Sequence, residues 1–106
     1  MFSHITVGTN DMDVAHRFYD ALFAAMGARP GVFDEKGRLL YFKDGRMFGV
    51  TAPIDGQPAC HANGGTIGFS LGSAEAVRAW QEAGVAHGGT AIEDPPGAVS
   101  YTHLTL

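Results

Sequence analysis

The chain has 106 residues, 45% of them hydrophobic, and a formal charge of −4, which suits one compact domain with a modest core and leaves no room for two. Its 7 lysines and arginines are scattered, which excludes the basic surface that phosphate neutralisation requires, so neither nucleic acid nor an anionic membrane is an expected partner. The single cysteine, Cys60, makes no internal disulfide, and there is neither a signal peptide nor an apolar run of about 18 residues, so a reducing cytoplasm is the expected location.

Phe2-Ser-His-Ile-Thr-Val-Gly opens the chain as a short strand. Asn10 or Asp11 then caps a helix, because a short side-chain oxygen accepts bonds from the first unpaired amides. Val14, Phe18, Leu22 and Ala25 follow at near-helical spacing, with Ala15, Tyr19 and Met26 widening the stripe, and Gly27 ends it. Arg29-Pro-Gly-Val-Phe, Arg38-Leu-Leu-Tyr-Phe-Lys and Met47-Phe-Gly-Val-Thr-Ala read as three strands separated by Asp34-Glu-Lys-Gly and Lys43-Asp-Gly-Arg turns. Residues 53–65, rich in proline, glycine and asparagine, read as a linker. Thr66-Ile-Gly-Phe-Ser-Leu predicts another strand, Ser73 another cap, and Ala76, Val77, Trp80 and Ala83 a second helical stripe ending at Gly84.

A slide of 62 positions lays His4 on Thr66, Asp11 on Ser73, Asp13 on Glu75 and Phe18 on Trp80. Caps and aromatics in register predict an internal duplication. At this offset the counterpart of residues 47–52 falls beyond Leu106, so the second unit is expected to be incomplete, with residues 97–106 serving as a third strand or a ragged tail.

The order of Phe2-Ser-His-Ile-Thr-Val-Gly-Thr-Asn-Asp, Phe18-Tyr-Asp-Ala-Leu, Asp55-Gly-Gln-Pro-Ala and Asn63-Gly-Gly-Thr-Ile-Gly-Phe resembles bacterial members of the vicinal oxygen chelate superfamily over residues 1–96. That group includes the glyoxalases, bleomycin-resistance proteins and extradiol dioxygenases. The resemblance implies an α+β fold of paired βαβββ modules whose curved sheets enclose a small-molecule pocket. Module one would occupy residues 1–52, the linker 53–65, a partial module two 66–96 and an atypical tail 97–106. Two departures accompany it. The usual closing strand-turn-strand, with its Asp-Pro-Asp-Gly-Asn-like turn and terminal glutamate, is missing, and Ser100-Tyr-Thr-His-Leu-Thr-Leu resembles translated vector or adapter read-through, which would make residues 98–106 foreign.

Metal-dependent members of that group place their ligands on the first and last strands of each module, and His4 falls at the first such position. Alternation turns Ile5 and Val7 toward the helix and leaves Phe2, His4 and Thr6 on the pocket side. The second-module counterpart is Thr66, a weak neutral donor, and residues 47–52 carry no carboxylate. One ligand does not hold a nickel, zinc, manganese or iron ion, so a second reading of His4, as a hydrogen-bonded strand-end histidine, stands beside the first. His103 adds an imidazole only if the tail folds into the pocket. His16 is expected to be solvated, His61 and Cys60 to lie on the surface without metal-binding spacing, and His87 to open a strand.

Substrate contacts are expected from Thr6, Tyr41, Phe48 and Thr66. Aromatics on short strands either stack on a planar ligand or fill the core, and alternation lets only one of Tyr41 and Phe42 face the pocket. The glycines at 64–65 and 88–89 follow no phosphate-loop pattern. Three functions remain: a metal-assisted lyase, isomerase, dioxygenase or thiol transferase; a metal-free protein that sequesters a drug or metabolite; and an inactive truncated product. A half-complete second module leaves apolar surface and a sheet edge uncovered, from which a homodimer is expected.

Overall fold

The computed structural model describes residues 1–92 and the strand at 104–105. His103 and the remainder of the tail lie outside these described residues.

The first unit runs β1 (His4–Gly8), α1 (Met12–Ala24), β2 (Val32–Phe33), β3 (Leu39–Lys43) and β4 (Arg46–Thr51). They form one four-stranded sheet in the order β1-β4-β3-β2, with β1 parallel to β4 and the other pairings antiparallel. The helical crossover is what makes a parallel β1–β4 pair possible. Tight turns make the antiparallel pairs. Asp34 closes one by accepting from the backbone N–H of Lys36 and of Arg38, both at 2.9 Å, and from Arg38 Nε at 2.6 Å. The other is a two-residue turn with Asp44 at φ 52° and Gly45 at φ 76°, the left-handed pair that matches strand twist.

Asp11 is the cap of α1, its carboxylate accepting from Val14 N–H at 3.1 Å. The buried stripe is Ala15, Phe18, Leu22 and Phe23, so its axis runs one residue beyond the expected one and Val14 sits at its exposed edge. Ala15 and Phe23 meet Leu39, Tyr41, Phe48 and Val50 from the sheet. Phe18 and Leu22 face the other way, onto Trp80.

The second unit contains α2 (Ala74–Ala86), β5 (Thr90–Ala91) and β6 (Leu104–Thr105), the last two antiparallel. The helices bear out the repeat: each has 13 residues, begins after a cap at Asp11 or Ser73, and puts Phe18 or Trp80 into the same apolar cluster. Helix α2 passes through Gly84 instead of ending there. The chain turns at Gly88, φ 109°, and Gly89, where an added Cβ would lie 2.9 Å from both Gly84 O and a Phe18 ring carbon.

Residues 66–71 are not a strand, contrary to their apolar alternation. Phe69 and Leu71 are half-buried between exposed neighbours and pack on the cores, whereas Ile67 is exposed. Side chains thus alternate as in a strand, but no described strand pairs with this segment's backbone, and a ladder requires a partner. No helix among the described residues is long and apolar enough to cross a membrane. The α+β architecture of βαβββ type is that expected from sequence, with the second unit short of strands.

A cavity between the two repeats

The sheet has two faces, fixed by register. Ile5, Val7, Leu39, Tyr41, Phe48 and Val50 project toward α1, and His4, Thr6, Leu40, Phe42, Met47 and Gly49 project away from it. Four of the expected site residues are therefore divided between the faces: His4 and Thr6 on the open one, Tyr41 and Phe48 on the helix-facing one. The fifth, Thr66, is exposed and outside any strand.

On the open face His4 lies opposite Met47 in the parallel register, and its Nδ1 meets Ser3 Oγ at 2.8 Å. Thr6 lies over Gly49, where an added Cβ would come within 3.3 Å of its Oγ1. Neither has a carboxylate, imidazole or thiolate beside it on these strands. Among the described residues no group of three or more His, Cys, Asp or Glu side chains converges on a point where a metal ion would sit. Since a divalent ion needs three or four such donors, the donor set around His4 does not fit one.

A cavity of about 360 Å³ opens where the start of β1, the β3–β4 hairpin, the end of α1 and residues 67–70 meet. That volume lies at the lower end of the range for small-molecule sites. Its floor is aromatic: Phe23 stacks on Tyr41 with centroids 4.5 Å apart and planes 8° from parallel, and Phe69 meets Phe23 and Phe48 edge-on at 5.5 and 5.6 Å. His4, Lys43, Asp44 and Arg46 stand among its lining. The cavity thus lies between the first repeat and the leading segment of the second.

The floor is braced from α1. Tyr41 donates its hydroxyl to Asp20 Oδ1 at 2.6 Å, and the same carboxylate oxygen accepts Gly31 N–H at 3.0 Å. Burial, and then the adjacent Asp20 carboxylate, hold the Tyr41 hydroxyl far above the usual phenol range; burial alone raises that of Tyr19. Both stay neutral, which suits an apolar floor. His16 is not merely solvated: its Nε2 lies 3.2 Å from Asp20 Oδ2 and its ring meets the edge of Phe33 at 5.1 Å. Gly31 is required here, since an added Cβ would come within 2.6 to 2.8 Å of Leu39 and Tyr41. His87 Nδ1 lies 2.8 Å from Ala83 O at the end of α2, and Cys60 and His61 are exposed.

Of the expected contacts, His4, Tyr41 and Phe48 line the cavity, whereas Thr6 and Thr66 do not. Phe23, Met26, Phe69, Lys43 and Arg46 line it without having been anticipated. A signal for the two cations was present. They flank a two-residue turn, so alternation gives them the same face as Tyr41 and Phe48.

The chain is 47% identical to a glyoxalase/bleomycin resistance protein from Albidiferax ferrireducens, whose crystal structure superposes with a TM-score of 0.91 over 98% of this chain and 88% of that one. A hypothetical protein of S. aureus, 14% identical, shares the fold at a TM-score of 0.71, covering 95% of this chain and 80% of its own. An integron cassette protein from the mobile metagenome of V. cholerae, 16% identical, does so at 0.51, covering 98% and 83%. No family model and no curated protein matches the sequence.

Proposed function

Because the chain belongs to the glyoxalase/bleomycin resistance family, we propose that it binds a small organic molecule in the cleft between its repeats, without a metal ion. One contrast carries this reading. The aromatic cavity is assembled from four separate segments, whereas the described residues bring no set of metal donors together. Shape and apolar area favour holding a ligand.

The metal-dependent reading, a lyase or dioxygenase, rests on the place of His4 at the head of β1. Titration of nickel, zinc, manganese and iron(II) into wild type and His4→Ala by calorimetry decides between them. The expected result is no tight site in either protein. A tight site in wild type that His4→Ala abolishes would overturn the metal-free reading.

The open face of the sheet supports a second part of this proposal, that two copies associate. Val32 and Phe42 are 53% and 57% exposed there, beside the half-buried Leu40 and Met47. A contiguous apolar sheet face of this kind is usually covered. The exposed free thiol of Cys60 is consistent with a reducing compartment.

A further inference from the structure

Arg46 lines the cavity beside Lys43 and Asp44, and among the described residues no carboxylate pairs with it. Along β4 it has the parity of Phe48 and Val50, and across the hairpin it faces Lys43, which has the parity of Tyr41 and Leu39. Both cations therefore close the cavity side of the sheet. Lys43 already has a carboxylate, with Asp44 Oδ2 at 3.6 Å from its Nζ. Arg46 is exposed and makes no ion pair with any described residue. An unpaired guanidinium at the edge of an aromatic floor is notable in a chain of net charge −4.

Resting on the cleft-binding reading, we infer that the ligand is a planar aromatic molecule of one or two rings carrying a single carboxylate-type anion. The rings lie against Phe69, which itself packs on the buried Phe23 and Phe48, and the anion meets the Arg46 guanidinium, whose planar fork matches a carboxylate through two parallel hydrogen bonds. A cationic ligand is disfavoured by Arg46, the Lys43 charge being offset by Asp44. A neutral isostere keeps the stacking and loses the charge-assisted bonds.

The test uses 2-naphthoate and its neutral isostere 2-naphthamide, titrated by calorimetry into wild type, Arg46→Met and Arg46→Lys, with thermal unfolding to verify that the variants fold. In wild type 2-naphthoate binds about tenfold more tightly than 2-naphthamide or better, the factor expected of a charge-assisted hydrogen bond. Arg46→Met brings the two probes to equal affinity, while Arg46→Lys keeps part of the preference. Equal binding of both probes to wild type, or a preference that survives Arg46→Met, overturns the anionic ligand and leaves the cleft reading standing. Failure of both probes to bind tells against the cleft reading itself and removes this inference with it.

Discussion

Tyr41 joins the two requirements of the site, an aromatic surface and a fixed backbone. Its ring stacks on Phe23 while its hydroxyl is held by Asp20. Tyr41→Phe keeps the ring and removes the donor, so urea unfolding at pH 7 should show a loss of about 1–3 kcal/mol, the usual result of breaking a hydrogen bond to a charged group. At high pH the comparison changes. Tyr41 and Tyr19 have folded-state pKa values above the unfolded value, so their contribution is complete below about pH 10 and declines as pH rises, by about 1.4 kcal/mol per unit for each. The alkaline slope of Tyr41→Phe should therefore be shallower than that of wild type, with only Tyr19 of the pair contributing. At the acid end Asp34 acts in the opposite sense. The Arg38 backbone N–H, followed by the Arg38 guanidinium and the Lys36 backbone N–H, lowers its pKa, so its contribution is present above the ordinary carboxylate pKa and is lost as pH falls through the depressed one. Asp34→Asn should flatten the decline of stability below about pH 4.

At the scale of elements, the paired helices are the part of the fold most open to prediction. Each of Asp11→Ala and Ser73→Ala should cost about 1 kcal/mol, the ordinary value of an N-cap, measured by chemical unfolding. Trp80→Ala should cost about 3–5 kcal/mol, since the indole fills the space between α1 and α2. It should also weaken any cavity ligand, because Phe69 packs on Trp80 with ring centroids 6.1 Å apart. Caps, periods and the Asp-Gly turn were legible because each is local: a side chain meeting an amide three residues on, or a backbone angle set by one glycine. Residues 66–71 were misread for the converse reason. Period-two spacing of Ile67, Phe69 and Leu71, of which the last two are half-buried, is a side-chain property, whereas a strand is defined by a partner that local pattern does not supply. The site shows the same division. Alternation allowed one of Tyr41 and Phe42 into the pocket and put the pocket on the side of Phe2, His4 and Thr6; the cavity takes Phe2 and His4 but also Ile5, Tyr41 and Phe48 from the helix-facing side, because residues 67–70 meet the end of α1 there.

The molecule as a whole presents two surfaces of different character, an aromatic cavity at one end of the sheet, which His4 and Met47 also line, and an uncovered apolar face around Val32 and Phe42. If the second is where two copies meet, a charge placed there should separate them without disturbing the first. Phe42→Glu is predicted to convert a dimer to a monomer in size-exclusion chromatography with light scattering, and to leave probe binding unchanged. The same independence extends to metal. His4 reaches the cavity from the head of β1, yet its partner is Ser3 and its neighbour across the sheet is Met47, and neither is a donor that would retain a hard divalent ion. The most direct measurement is the dissociation constant of 2-naphthoate, taken by calorimetry first on protein stripped with a chelator and then with excess nickel, zinc, manganese or iron(II). A ligand site made of aromatic rings and one guanidinium predicts the same constant in every case. Binding that vanishes on stripping, returns with one of these ions and is absent from His4→Ala would contradict it.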